Sequence, residues 1–499
     1  MYRHDTKQLE FINFALPFGG KLSSENRWVI KAEIMPWDMI EEYYRKSFPS
    51  DGQGAPAKPS RMAFGTLVIK ETLGLSDEEV VEQLSENPYL QYFIGLHEFE
   101  FKAPFDASML VHFRKRFPAE FISKVNEEML FRLKKKDSQD ETDEDSDSSD
   151  SNSTPRGKLV IDATCAPSDI RFPTDLSLLN EAREKTEAII DVLHEPFIGK
   201  EKKPRTYRKR ARKEYLNLAK SKKKKKSKLR KAMGKQLNYV ERNLNYINDL
   251  SSKVSLQLLP RNKYHDLLVI QEVYRQQKLM HDQRIHKVAD RIVSISQPHV
   301  RPIVRGKASA STEFGAKVSV SLCDGYSFVD RISWDAYNES EDLISQAQSY
   351  RRRFGFFPAS IHADKIYRNH ENRRFCKENG IRLSGPALGR PPKDQKANEL
   401  NKKIQYQDEI DRIPIEGKFG QCKRRFGLGR IMGKLAETSS SMIMMSFMVA
   451  NLEKVLLCLY FLLTSIMNKR KNRALISYYN PYGKIGYQYR TQPVEFCMI

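Results

Sequence analysis

The sequence predicts a mixed α/β core that follows an all-α region and is interrupted by a basic helical insertion. Residues 158–164 have the pattern of a buried strand, and helical sequence occupies about residues 175–297. From Phe314 onwards, apolar and polar residues alternate as they do in a strand with one buried face. The chain has 499 residues, which predicts more than one domain.

Residues 1–136 are predicted to form an all-α N-terminal domain that binds DNA. Ser76 and Glu79 form a capping-box pattern, and the helix that they begin should end near Pro88. Further short helices, one of them capped by Asp106, favour a helix-turn-helix-like DNA reader, although helical packing alone also explains the pattern. The side chains expected to face DNA are Arg114, Lys115 and Arg116.

An acidic, Ser-rich linker is expected at residues 137–156. Eight acidic residues and no basic residue lie between Asp137 and Asp150. Such a segment buries too little apolar surface to order itself. A solvated spacer is the plainer interpretation, and an autoinhibitory mimic of nucleic acid is the alternative.

The formal net charge of +22 is concentrated in a short part of the chain. Residues 200–231 contain 18 Lys and Arg against two Glu, so this stretch has a net charge of +16. The excess predicts a polyanionic partner whose phosphates supply affinity without sequence choice. A solvated helix face or a localisation signal also explains the run. The lysines expected to contact DNA are Lys222, Lys223 and Lys224.

Two aspartates are predicted at the ends of strands in the α/β core. Asp162 ends the strand that begins at Lys158, and Asp364 ends a short strand that begins at Ala359. Between them, Asp324-Gly325 is a strong hairpin signal, and a helix is expected around Glu341–Arg353. Each aspartate alone is explained equally well as a turn former or a helix cap.

A third carboxylate, Glu416, favours a catalytic role for the two aspartates over a role as turn formers or helix caps. Arg412, Glu416 and Lys423 lie within about 40° of one face if their segment is helical throughout. Pro414 predicts that this helix begins nearby, with Arg412 just outside it. Three carboxylates from two strand ends and a helix can hold two Mg²⁺ or Mn²⁺ ions for phosphoryl transfer. The basic residues expected to hold DNA phosphates there are Arg412, Lys423, Arg424 and Arg425.

These residues resemble the DDE triad of bacterial insertion-sequence transposases, in the broad group around insertion sequence families 4 and 5. The similarity includes Val-Ile-Asp162-Ala-Thr, Ala-Asp364-Lys-Ile-Tyr-Arg and Glu416-Gly-Lys-Phe-Gly-Gln-Cys-Lys. It implies a ribonuclease-H-like catalytic domain over residues 157–499, with all three carboxylates coordinating metal. Related transposases have a tyrosine three residues before the arginine, where this chain has Glu409.

The resemblance implies a transposase that binds terminal inverted repeats as double-stranded DNA, cleaves the element ends and transfers them to target DNA. Because two ends must be paired, we expect a homodimer, located in the bacterial cytoplasm with the nucleoid. The alternatives are a ribonuclease-H-like endonuclease without strand transfer and a DNA-binding protein whose catalytic centre has decayed.

Several other features are expected to be structural. Six cysteines lie far apart without a CxxC motif, which disfavours a zinc site or a disulfide framework. His362 is expected to pack or hydrogen-bond rather than to bind metal. The apolar run Val455–Met467 is shorter than the roughly 20 residues that a membrane span requires, so we expect a buried helix.

Overall fold

A computed structural model describes residues 10–48, 56–139, 154–223, 225–304, 312–386 and 395–478 of the chain. Its elements form a mixed α/β protein with one mixed sheet and many helices. They follow the predicted order of N-terminal helices, first strand, helical insertion, and then the remaining strands and helices. Lys224 and nearly all of the acidic linker lie outside the described residues.

Among the described residues, seven α-helices precede the first strand. They are α1 (Arg27–Ile34), α2 (Trp37–Lys46), α3 (Ser60–Leu73), α4 (Asp77–Glu86), α5 (Pro88–Phe93), α6 (Met109–Arg116) and α7 (Ala119–Gln139). The predicted capping box is present, because the Ser76 side chain and Glu79 each accept the other's backbone N–H. Asp106 does not cap α6. It accepts the backbone N–H of Ser108 at 2.9 Å in a turn that precedes the helix.

Six strands form one sheet. They are β1 (Lys158–Pro167), β2 (Arg301–Val304), β3 (Thr312–Cys323), β4 (Tyr326–Ser333), β5 (Ser360–His362) and β6 (Arg382–Leu383). The strand order is β2-β3-β1-β5-β6, and β4 also pairs with β3. Strand β1 is antiparallel to β3 and parallel to β5, so it lies where the two halves of the sheet meet.

The predicted hairpin joins β3 to β4. Asp324 and Gly325 have φ angles of 52° and 75°, which both lie in the left-handed region. Two such residues produce the turn that matches the twist of paired strands. The Asp-Gly pair therefore fixes the register of this half of the sheet.

The insertion contains four helices with small hydrophobic clusters of their own. They are α8 (Asp175–His194), α9 (Arg208–Ala219), α10 (Lys226–Ser251) and α11 (Arg261–Gln283). The prediction that helical sequence continues to about residue 297 is wrong, because α11 ends at Gln283. Arg284 adopts a left-handed φ of 58° that ends α11, and the Gln276 side chain then accepts the backbone N–H of Ile292 at 2.9 Å.

Four helices complete the fold. They are α12 (Asp342–Phe354), α13 (His370–Glu378), α14 (Gln395–Arg425) and α15 (Ala436–Tyr478). Residues Ala436–Phe461 of α15 are apolar and long enough to cross a membrane, but 72% of the most apolar window is buried inside the protein. The prediction that the run Val455–Met467 is buried is wrong for most of its described side chains. Val455 is buried, but Leu457, Tyr460 and Phe461 are 50%, 64% and 64% exposed, because this part of α15 extends beyond the elements that cover its first half. One continuous hydrophobic core joins the N-terminal helices, α15 and the sheet.

A buried polar cluster joins α7, β4 and α15. The Asn451 side chain accepts the backbone N–H of Ser327 at 2.9 Å and donates to the Ser327 carbonyl at 2.7 Å. It also donates to the Asn126 side chain at 2.9 Å. Asn451 is completely buried, so these bonds satisfy groups that water does not reach.

We predict that Asn451→Ala destabilises the protein by about 3 kcal/mol, because it leaves the backbone N–H of Ser327 buried without an acceptor. Chemical denaturation followed by circular dichroism measures the change. Ser446→Ala is the matched control, since Ser446 is equally buried on α15 but bonds only to the Met442 carbonyl of its own helix. Equal losses in the two variants would contradict the role given to Asn451.

Candidate active site

Strands β1 and β5 bring two predicted catalytic carboxylates to one edge of the sheet. Their parallel register pairs Val160 with His362, and the aspartates follow two residues later on each strand. Asp364 also accepts the backbone N–H of Lys365 at 2.6 Å, which caps the short 3-10 helix Lys365–Tyr367. The prediction that Asp162 ends its strand is wrong, because pairing with β3 continues β1 to Pro167. Asp364 does follow the end of β5, and the parallel register still makes the two aspartates neighbours.

Glu416 reaches the same edge from α14, which packs against β1 and β5. Arg412 lies between the carboxylates, with Nη1 3.5 Å from Asp364 Oδ1 and Nη2 3.9 Å from Glu416 Oε1. The sequence predicted Arg412 as a DNA contact. In the structure its guanidinium bridges two members of the carboxylate triad.

Helix α14 does not begin near Pro414, so that prediction is wrong. The helix runs unbroken from Gln395 to Arg425 with the proline inside it. Ion pairs to the sheet hold its first half, since Arg382 donates two bonds to Asp408, at 3.0 and 2.7 Å, and Lys158 lies 2.8 Å from Asp411. These long-range contacts offset the single backbone hydrogen bond that a proline removes.

Burial raises the pKa of Asp162 to about 6. The backbone N–H of Ala163, which donates to Asp162 at 2.8 Å, and the Arg412 charge act in the opposite direction. The negative charges of Glu339 and Asp364 raise the pKa further. Burial is thus the main cause of the raised pKa, and charges of both signs act on Asp162.

Carboxylate oxygens are the donors that hard divalent cations prefer, so the chemistry of the three acids fits Mg²⁺ or Mn²⁺. Within the described ranges, however, no three His, Cys, Asp or Glu side chains are already gathered into a metal-binding group. The arginine bridge to Asp364 and Glu416 occupies part of this centre.

His362 lies in the protein interior next to the candidate site. It is fully buried, and its Nε2 lies 3.0 Å from Ser360 Oγ while its Nδ1 lies 3.4 Å from Asp408 Oδ1. Burial lowers the pKa of His362. These contacts agree with the prediction of a packing and hydrogen-bonding histidine.

The basic residues predicted to contact DNA fall into different environments. Arg114 donates two bonds to Asp77, at 2.9 and 2.6 Å, and Arg116 stacks over Phe48 with 3.9 Å between the guanidinium carbon and the ring centre. Lys115 is exposed. Within α6, the geometry therefore favours Lys115 as the side chain available to a phosphate.

Other predicted DNA contacts lie near α14 and in the insertion. Lys423 is partly buried, Arg424 is exposed, and Arg425 Nη2 lies 3.6 Å from Glu453 Oε2 on α15. Lys222 and Lys223 are exposed beside α9.

Comparisons with known proteins point to transposases. Residues 361–453 match the family described as Transposase DDE domain, and residues 17–116 match the family described as Transposase domain (DUF772). The first match contains Asp364 and Glu416, whereas Asp162 lies outside both.

A curated relative covers a shorter stretch. The chain is 32% identical over 151 residues to a Rhizobium meliloti protein named "Uncharacterized protein ORF8 in nfe locus", which is 30% of this chain and 66% of that protein. No solved structure matches the chain significantly. The two transposase domain matches support the assignment of the chain to the DDE transposases.

Proposed function

We propose that the protein is a DNA transposase that binds the terminal inverted repeats of its own mobile element, cleaves the ends and joins them to target DNA. The observation that carries this proposal is that Arg412 lies between Asp364 and Glu416, and that Asp364 follows the strand that pairs with the strand of Asp162. This centre lies in a chain with two transposase domain matches.

The strand arrangement supports a ribonuclease-H-like catalytic domain over residues 157–499. Strand β1 carries the first acid and has the antiparallel β3–β4 hairpin on one side. Strand β5, parallel to β1 on the other side, leads to the second acid, and α14 supplies the third. The same order of a central strand, a hairpin, a parallel strand and a helix is expected of that fold.

Asp162, Asp364 and Glu416 are the residues that would hold Mg²⁺ or Mn²⁺. Two such ions, when bound, would activate the attacking oxygen and stabilise charge on the leaving oxygen of a phosphodiester. Asp162 contributes a partly buried carboxylate of fixed orientation, because its side chain accepts the backbone N–H of Ala163. Hydrolysis would first free a 3′-hydroxyl, which then attacks target DNA at the same centre.

The positive charge of Arg412 compensates the negative charges of Asp364 and Glu416 before substrate binds. Its Nε is buried and has no hydrogen-bond partner among the residues that the structure describes. A guanidinium presents its donors in a planar fork that suits phosphate oxygens. Arg412 is therefore placed to orient the scissile phosphate once cations take over the charge of the acids.

The exposed insertion lysines and Arg424 supply a positive surface for the DNA backbone. Phosphate contacts of this kind position DNA without reading its sequence. We also propose that two copies pair the element ends as a homodimer in the bacterial cytoplasm, in association with the nucleoid.

Glu416→Gln and Asp364→Asn are each expected to reduce cleavage of DNA bearing the element ends by about a thousandfold, because each removes a charged metal ligand. Gel analysis of labelled ends with Mg²⁺ measures this loss. Glu409→Gln is the control, since Glu409 is exposed on the same helix. Wild-type cleavage by the Glu416 variant would contradict the proposal, and cleaved ends without joined target DNA would favour the endonuclease.

Asp162→Asn is expected to abolish cleavage and to stabilise the metal-free protein at pH 8 by about 2 kcal/mol. The folded-state pKa of about 6 lies above the ordinary value of 3.8, so wild-type stability falls as pH rises between these values and stays lower above them. At pH 4 the gain should disappear. Thermal unfolding in EDTA at pH 8 and at pH 4 measures the difference in stability between the Asp162→Asn variant and wild type. Asp364→Asn is the control, because the Asp364 side chain is more exposed. A destabilised Asn variant at pH 8 would contradict this account.

Lys222→Gln combined with Lys223→Gln is expected to weaken DNA binding equally for end sequences and unrelated duplexes. The slope of log affinity against log salt should fall by about 2, because each phosphate contact contributes about 0.9. Fluorescence anisotropy across a salt series measures the slope. Lys253→Gln is the control, since this exposed lysine of the insertion already pairs with Glu201 at 2.8 Å. An unchanged slope in the double variant would contradict the proposal that these insertion lysines contact DNA.

A further inference from the structure

The part of α15 that follows Val455 carries apolar side chains on the protein surface. Leu457, Tyr460 and Phe461 are all exposed there. Residues 455–468 contain no charged residue, in a chain of which 30% of the residues are charged. A helical stretch that is apolar on every side is normally buried. We therefore expect a partner to cover residues 456–461, which we call the projecting segment.

A groove with a volume of about 730 Å³ opens on the same side of the protein as the start of this segment. Helices α7 and α12 and the β3–β4 hairpin supply most of its walls. Its apolar lining includes Met39, Leu130, Phe131, Leu133, Phe328 and Phe354. Cavities of this size hold ligands much larger than one side chain. This α7 groove is therefore large enough to accept part of a helix.

Lys454 joins the α7 groove to the projecting segment. Its Nζ donates to the Asp324 carbonyl at 2.8 Å and lies 4.7 Å from the centre of the Tyr326 ring. Asp324 and Tyr326 both line the groove, and Lys454 lies two residues before the projecting segment in the same helix. The groove of the same chain does not cover the segment, because Tyr460 and Phe461 stay exposed.

The charges around the α7 groove balance one another. Three acidic and three basic residues line it. Arg353 donates to Glu127 at 2.7 Å and to Asp330 at 3.0 Å, and Arg132 donates to Glu128 at 2.7 Å. Acids and bases that already compensate one another give little attraction to DNA or to an acidic peptide. An uncharged apolar occupant, such as the projecting segment, matches this lining.

A second copy of the chain can cover both surfaces at once. In a two-fold dimer each subunit buries the same patch, so each projecting segment can enter the groove of the other copy. Tyr460 and Phe461 are each 64% exposed. An aromatic side chain buries about 150–250 Å², so these two residues offer about 200–300 Å² per copy. With the groove surfaces that they cover, two such contacts bury about 1,000 Å², which is the size that a specific interface needs.

We propose that the projecting segment of one copy packs into the α7 groove of a second copy, and the reverse, to form the homodimer. This inference rests on the proposed function, in which two copies pair the element ends, and it names the surface that joins them. The dimer should form without DNA, because the contact is apolar and uncharged.

Sedimentation of the full-length protein over a concentration series tests the contact. Phe461→Asp and Phe131→Asp are each expected to weaken dimerisation by at least about tenfold, because each places a charge in an apolar interface. Leu258→Asp is the matched control, since Leu258 is 50% exposed, as Phe131 is 51% exposed, and lies on the insertion. A mixture of the Phe461→Asp and Phe131→Asp proteins should regain part of the dimer, because one intact contact remains in the mixed pair.

Cross-linking identifies the two surfaces directly, because Cys458 is exposed on the projecting segment. Mild oxidation of the Phe131→Cys protein should give a disulfide-linked dimer on a non-reducing gel, since the two cysteines of a reciprocal contact come within bonding distance. The same protein with Cys458→Ser should stay monomeric on that gel. A disulfide that forms only within one chain would overturn the inference.

The remaining outcomes separate this surface from the proposed function. If both Asp variants dimerise as wild type does, or if wild type dimerises only on end DNA, the surface is overturned while the proposed homodimer stands. A wild type that is monomeric with and without DNA contradicts both, but leaves the cleavage chemistry to the Glu416 test. If the monomer binds phosphatidylcholine vesicles and Phe461→Asp abolishes this binding, a membrane covers the segment and the inference is overturned.

Discussion

The fold depends on buried polar contacts that α15 makes on more than one of its faces. Asn451 joins α15 to α7 and β4, and Glu453, two residues later, pairs with the fully buried Lys31 of α1. Glu453 also lies 3.6 Å from Arg425, the last residue of α14. Removing one partner of a buried ion pair leaves an uncompensated charge, so these contacts hold the N-terminal helices, the sheet and the active-site helix in one arrangement.

This arrangement determines where Glu416 lies. Asp408 of α14 is bound by Arg382 of β6, and further along the helix Lys418 donates to the Ala450 carbonyl of α15 at 3.3 Å. Burial lowers the pKa of Lys418 to about 8, which reflects how deeply this part of α14 is packed. These two contacts, one before and one after Glu416 in the sequence, fix the part of α14 that presents this exposed glutamate.

The acidic candidate site and the positively charged surface lie in different parts of the protein. The acidic centre around Asp162 is small and partly buried, whereas the positive charge lies mostly on the insertion, whose helices have their own hydrophobic clusters. Part of that charge is neutralised locally, as where Arg208 and Lys203 both contact Asp191. The insertion can therefore present its remaining lysines to phosphate without disturbing the carboxylates.

The sequence by itself determined strands β1, β3 and β5, the Asp324-Gly325 hairpin and the capping box, because burial alternation and turn chemistry are local properties. Tertiary structure decided the continuity of α14 through Pro414, the pairing of Arg114 with Asp77 and the position of Arg412 between Asp364 and Glu416. Each of these depends on contacts between residues that are distant in the chain. Local sequence patterns do not predict such contacts, because the position of the contacting residue is set only when the helices and the sheet pack together.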